Sequence, residues 1–230
     1  AAASAVTVAA RPPAVATQIE GVDVAAHTGV IDWDSVRAAG NEFAWVTATQ
    51  GSGGTNPQFP TDYGNAGQAG LVRGAGHFAV PGASSGGAQA DFFVGHGGGW
   101  SADHRTLPGA LDLEYNPFGT ACYGLSTAAM VAWIGAFLDR YHADTGRWPV
   151  IYTTASWWQT CTGDDASAAA SSPLWIARPA NGSGVLPGGW PDWAFWQYDS
   201  GQVPGSPGEL GLDHFNGGQK ELVVLADGTS

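Results

Sequence analysis

Ala110-Leu111-Asp112-Leu113-Glu114 opens the stretch that decides the fold. Apolar and acidic residues alternate there with period two, as in a strand with two unlike faces. The chain breaks at Tyr115-Asn116-Pro117 and then enters a helical segment over Thr127–Thr145. Met130, Trp133, Ile134, Phe137, Leu138 and Tyr141 recur there at helical spacing. Ser126 is placed to cap that helix and Gly146 to stop it. A second short apolar run follows at 149–153. Strand, helix, strand is a βαβ unit, whose crossover makes the two strands parallel.

The same alternation extends both ways. Strands are expected at 19–24, 43–48, 72–80, 109–114, 149–153, 174–177, 194–198 and near Leu212. Helices are expected at 33–39, 59–69, 87–96 and 127–145, with a short one near 156–159. About eight strands with fewer helices predict an α/β fold: a single irregular β/α barrel, TIM-like, with mostly parallel strands. Chemistry in such barrels sits at the C-terminal ends of the strands. The glycine-rich run 95–99 lacks the lysine of a phosphate loop and reads as a flexible turn. Residues 19–230 are expected to form the catalytic domain. Residues 1–18 lack periodicity and read as an extended N-terminal tail left after removal of a signal.

Composition narrows the function. Of the 230 residues 44% are hydrophobic and 12% charged, and the net charge is -12 with a single lysine, Lys220. No Lys/Arg cluster is available for phosphates, so neither nucleic acid nor an anionic membrane surface is an expected partner. No apolar run is long enough to span a bilayer. Cys122 and Cys161 are the only cysteines, which predicts one disulfide and an oxidising, extracellular location. A secreted monomer is expected.

Alternation places Asp112 and Glu114 on one face and Leu111 and Leu113 on the other, toward covering helices. Two like charges so close push one pKa upward, leaving one proton donor and one carboxylate. Glycoside hydrolysis uses that division, with Glu114, nearer the rim, as the acid. Asp23, ending the first strand, and Asp213, in Gly211-Leu212-Asp213-His214-Phe215, repeat the pattern more weakly; each also reads as a cap or turn residue. Trp45, Phe78, Tyr152, Trp175 and Trp196 sit in expected strands, as sugar platforms or as core. The six histidines form no H-E-x-x-H pair, and no G-x-S-x-G elbow occurs. No metal and no cofactor are therefore expected.

These residues also carry a family resemblance. Gly21-Val22-Asp23-Val24, Ile31-Asp32-Trp33, Gly74-Ala75-Gly76-His77-Phe78-Ala79, Leu111-Asp112-Leu113-Glu114, Val150-Ile151-Tyr152, Leu174-Trp175-Ile176-Ala177, Trp196-Gln197-Tyr198 and Asp213 with Phe215-Asn216-Gly217 occur in this order. Over about residues 19 to 217 the chain resembles glycoside hydrolase family 25, the Chalaropsis-type lysozymes, especially its secreted actinobacterial members. The resemblance implies a β/α barrel that cleaves the β-1,4 bond between N-acetylmuramic acid and N-acetylglucosamine in bacterial peptidoglycan. It places the family's acid/base on Glu114 and its other acidic positions on Asp112, Asp23 and Asp213. Phe78, Tyr115, Tyr152, Trp175 and Trp196 are the candidate sugar contacts. Three positions depart from the family pattern: Thr47 and Gln50 replace a lysine and a carboxylate, and Gly76 replaces an aromatic. Asp112 could attack the sugar or orient its N-acetyl group, and the sequence leaves both open. A wall-binding protein without catalysis and a metal-dependent deacetylase or amidase are the alternatives.

Overall fold

The first strand, β1 (Ile19–Val24), pairs in parallel with β2 (Phe43–Gln50) on one side and antiparallel with β9 (Glu209–Phe215) on the other. That double pairing closes a sheet into a barrel. A computed structural model describes residues 18–25, 29–117, 119–180 and 182–228. The expected tail lies outside them except for Gln18.

Beyond β2 the barrel continues through β4 (Val72–Phe78), β5 (Ala110–Leu113), β6 (Val150–Thr153), β7 (Leu174–Ala177) and β8 (Phe195–Gln202), each parallel to the one before. β9 runs antiparallel to β8. The turn between them, 203–208, is too short for a crossover and makes a hairpin. The two-residue β3 (Gly54–Thr55) folds back on β2. Eight strands form the closed mixed barrel.

Helices cover the outside. They are α1 (Trp33–Ala38), α2 (Phe59–Gln68), α3 (Gly86–Phe93), α4 (Thr127–Thr145) and α5 (Ala155–Thr162), with α6 (Gln219–Asp227) last. α4 buries the six predicted apolar residues, accepts its Ala129 N–H at Ser126 Oγ, and ends on Gly146 at φ 71°. α6 was not expected. The 95–99 turn is packed rather than loose: Tyr141 Oη donates to Gly98 O at 2.9 Å, and a Cβ on Gly97 would lie 2.2 Å from the Phe59 ring.

Period-two alternation produces two cores. Outward residues such as Leu111, Leu113, Ile151 and Ile176 meet the helices. Inward residues Phe43, Trp45, Phe195 and Phe215 fill the N-terminal half of the barrel, and Leu222 and Ala226 of α6 close it from below. Bare backbone makes room for this floor: a Cβ on Gly74 would lie 2.0 Å from the Trp45 ring.

β2 carries a bulge. Thr47 pairs with Gly76 and Thr49 with His77, leaving Ala48 as the extra residue. Asn56 satisfies the freed carbonyls, donating Nδ2–H to Thr47 O at 2.7 Å and N–H to Ala48 O at 2.8 Å. Behind it lies a buried chain: Thr49 Oγ1 donates to His77 Nδ1 at 2.8 Å, and His77 Nε2 donates to Gln89 Oε1 at 3.1 Å. Burial lowers the His77 pKa to about 4, so the imidazole is neutral.

Candidate active site

The C-terminal half of the barrel is not filled. A cavity of about 340 Å³ opens there, lined by Asp23, Thr47, Gln50, Gly76, Phe78, Asp112, Glu114, Tyr152 and Trp175 among others. Trp45 and Trp175 stack at 5.1 Å to form its base, and Tyr152 meets Trp175 edge-on at 4.7 Å.

β5 contributes the acid pair. Asp112 is the last inward residue of the strand and Glu114 lies just past its end, at the rim. Asp112 pairs in register with Phe78 of β4 and Tyr152 of β6, so both neighbours border it. Burial raises its pKa well above the ordinary carboxylate range, and the charges of Glu114 and Asp23 add to this. Its Oδ1 is buried and receives no hydrogen bond. Glu114 is raised too, by burial first and then by Asp23. Each carboxyl therefore holds a proton more strongly than an ordinary carboxylate does.

Asp23 and Asp213 form a second acid pair, opposite the first. Register sets Gly21 beside Asp213 and Asp213 beside Gln197. Asp213 accepts the Trp175 Nε1–H at 2.8 Å and receives no N–H or O–H donor at Oδ2. Burial and then the Asp23 charge raise its pKa well above the ordinary carboxylate range. Asp23 is raised by burial, a rise opposed by hydrogen bonds from Gln197 and Asp213. Gln197 Nε2 donates to Asp23 Oδ2 at 2.5 Å, and Tyr152 Oη donates to Gln197 Oε1 at 2.9 Å. Burial and the surrounding carboxylates keep the Tyr152 phenol protonated. Gly211 makes this contact possible, since a Cβ there would lie 1.7 Å from Asp23 Oδ2.

Among the described residues no lysine or arginine lines the cavity. Among the described residues no group of three His, Cys, Asp or Glu converges on a metal position. The site therefore offers paired carboxyls over an aromatic base, suited to protonating a leaving oxygen and stabilising positive charge. A family model for glycosyl hydrolases family 25 matches residues 22–206.

The chain belongs to this family. Its relatives include lysozyme M1 of Streptomyces globisporus, 50% identical over 95% of this chain and 74% of that protein. The N,O-diacetylmuramidase of Chalaropsis sp is 44% identical over 91% of this chain and 100% of that one. The crystal structure of the bacterial lysozyme from Streptomyces coelicolor superposes with a TM-score of 0.90 at 50% identity, covering 92% of this chain and 98% of that one. The protein is a glycoside hydrolase.

As a family 25 member it places the candidate residues unevenly. Asp23, Asp112, Glu114, Phe78, Tyr152 and Trp175 line one cavity. Asp213 lies fully buried behind Asp23 and Trp175. Tyr115 is 43% exposed and does not line the cavity. Trp196 needs correction: it points outward, packs in the outer core, and donates Nε1–H to Arg178 O at 3.0 Å. Phe195 and Gln197 take the inward positions on β8, so parity excludes Trp196. Gln197 was missed; only its place two residues beyond the inward Phe195 signalled it. Cys122 and Cys161 are joined by a disulfide, tying the β5–α4 loop to α5. Thr47, Gln50 and Gly76 all border the cavity, so the three departures alter its wall and leave the acid pair in place.

Proposed function

We propose that this glycoside hydrolase is a secreted lysozyme of the muramidase type, with Glu114 and Asp112 as its reacting pair and net retention at the cleaved bond. The carrying observation is the placement of both carboxyls on one strand end, facing one cavity, each with its pKa raised. The substrate in this reading is the β-1,4 bond between N-acetylmuramic acid and N-acetylglucosamine of bacterial peptidoglycan. The names of two relatives, lysozyme M1 and N,O-diacetylmuramidase, support it.

Glu114, at the rim, protonates the leaving oxygen, and Asp112 beneath it stabilises the positive sugar. Residues two apart on a strand are separated by about 6.6 Å of backbone. Their carboxyls can converge to the roughly 5–5.5 Å associated with retention. The Tyr152–Gln197 chain, with Asp213 behind, holds Asp23 ready to accept from a sugar hydroxyl or amide. The Trp45–Trp175 base and Phe78 take the apolar face of the ring. The disulfide suits an oxidising location outside the cell.

Digestion of purified peptidoglycan, with the new reducing ends identified after borohydride reduction, tests the reading. Muramic acid ends are expected, and in a separate, unreduced digest the β-anomer should appear first by NMR. Glucosamine ends, or none, would overturn the muramidase reading. An α-anomer appearing first would overturn retention.

A further inference from the structure

Inward positions on β4 fall two residues apart, at Gly74, Gly76 and Phe78. The two glycines are bare for different reasons. A Cβ on Gly74 would strike the Trp45 ring at 2.0 Å, so the floor already fills that place. A Cβ on Gly76 would meet nothing closer than Thr47 Cα at 3.6 Å, with Thr47 Oγ1 at 3.8 Å, which is ordinary contact. The backbone of Gly76 is not left-handed either, so neither packing nor conformation requires glycine there. Its missing side chain leaves a recess in the cavity wall between Trp45 and Phe78, bordered by Thr47 and Gln50 of β2. The bulge in β2, held by Asn56 through Thr47 O, fixes Thr47 in that wall.

The recess is uncharged, and the lining around it is acidic. Asp23 and the Asp112–Glu114 pair enter the same cavity from β1 and β5, and among the described residues no lysine or arginine balances them. Side-chain donors are scarce as well. The Tyr152 hydroxyl is engaged with Gln197, the Trp175 Nε1–H with Asp213, and Trp45 Nε1 is shut off from solvent. Thr47 and Gln50 supply the remaining hydroxyl and side-chain amide of the lining. A free carboxylate brings only acceptors and a like charge to such a wall, and like charges brought together are strongly disfavoured. An amide brings an N–H for the acidic groups, a C=O for Thr47 or Gln50, and no charge.

We propose that the recess formed by Gly76, Thr47 and Gln50 receives the lactyl arm of muramic acid, and that it takes this arm as an amide, with a stem peptide attached, in preference to the free acid. The proposal rests on the reading of the cavity as a muramidase site. Thr47 and Gln50 are then specificity-determining residues, through the charge they do not carry, and Gly76 through the room it leaves. Discrimination of this kind comes from rejecting the wrong substituent as much as from binding the right one.

Three short, soluble glycan preparations test this: strands bearing stem peptides, strands stripped of them by an amidase, and stripped strands whose lactyl carboxyls are coupled to methylamine. On stripped strands kcat/KM should be lower than on peptide-bearing ones by about tenfold or more, with the loss mostly in KM. The methylamide strands should recover most of it. Equal rates on all three, or methylamide strands cut as slowly as stripped ones, would overturn the proposal. Thr47→Lys puts a cation in the recess and should raise the ratio of stripped to methylamide kcat/KM by about tenfold; an unchanged ratio counts against the idea. If Thr47→Lys loses Tm, Gln50→Lys at the exposed end of β2 carries the same test with the same outcomes. Gly76→Val fills the recess and should raise KM for peptide-bearing strands by about tenfold, and Gly76→Ser serves if Tm falls. An unchanged KM would put the arm elsewhere and end the proposal. The two possible failures separate. No muramic acid ends from any preparation would sink the muramidase reading, whereas muramic acid ends released at equal rates from all three leave that reading standing and sink only this one.

Discussion

The two halves of the barrel interior are built on the same strands and hold opposite kinds of side chain. At the N-terminal end the inward positions are Phe43, Trp45, Val150, Phe195 and Phe215, closed below by α6. One or two inward positions further toward the mouth, the same strands present Thr47, Tyr152, Gln197 and Asp213. β1 and β5 deliver Asp23, Asp112 and Glu114 at that level. β9 runs the other way, so its inward residues read from mouth to floor, Gly211, Asp213, Phe215. The floor contributes burial. The mouth holds four carboxyls whose burial costs stability. Each strand is thus divided along its length between stability and chemistry.

The largest expected break in this contrast is Glu114→Gln. It should lower kcat by roughly 10²–10⁴-fold while leaving substrate binding and Tm intact, because it removes a proton donor and relieves a buried charge. Retention of more than about a tenth of wild-type kcat in steady-state assays would contradict the acid role.

Phe195→Ala is the matching change at the floor. Phe195 is fully buried and packs on Phe43 at 5.2 Å, Trp45 at 5.3 Å and Phe215 at 5.1 Å. Urea unfolding should show a loss of about 3–5 kcal/mol. The pH–rate profile of the folded fraction should keep its shape. A shifted profile would mean that floor and mouth are coupled more tightly than their separate packing implies.

The smallest effect sharpens the comparison by asking which part answers to acid. The floor residues Phe43, Trp45, Val150, Phe195 and Phe215 carry no titrating side chain. The mouth carboxyls have raised pKa values, so protonating them eases a cost in the folded state. His77, behind the mouth, works in the opposite sense. Its pKa falls from 6.5 to about 4 on folding, so the unfolded chain binds a proton that the folded chain refuses. Its contribution is complete above about pH 6.5 and is lost as the pH falls to about 4, amounting to roughly 3 kcal/mol. Histidine NMR should show one imidazole that stays neutral to about pH 4. Finding every histidine titrating near 6.5 would remove this account.

Part of the site was legible because a strand displays its own alternation. Ala110-Leu111-Asp112-Leu113-Glu114 shows that two acids share a face, and Thr127–Thr145 shows which helix residues share one. Both hold in the structure. Trp196 shows where that reading stops. It sits in an alternating run beside Gln197, and nothing local says which of the two faces in. Asp213 could be listed as a candidate, yet its neighbours Asp23 and Trp175 are 190 and 38 residues away in sequence and meet it only through β9.

The sequence alone determined the period of each element, the caps of its longest helix, the acid pair on one strand face and the cysteine pair. These depend on local geometry, where the 2.0 and 3.6 periods fix relative orientation. Tertiary structure alone decided which face of β8 turns inward, that β9 enters antiparallel, that α6 seals the floor, and that Asp23 and Asp213 face the β5 acid pair across the cavity. Those outcomes depend on register, closure and depth. Registers are set by contacts between distant segments, and a pKa by the water excluded around a group; neither is carried by the run of residues in which that group stands.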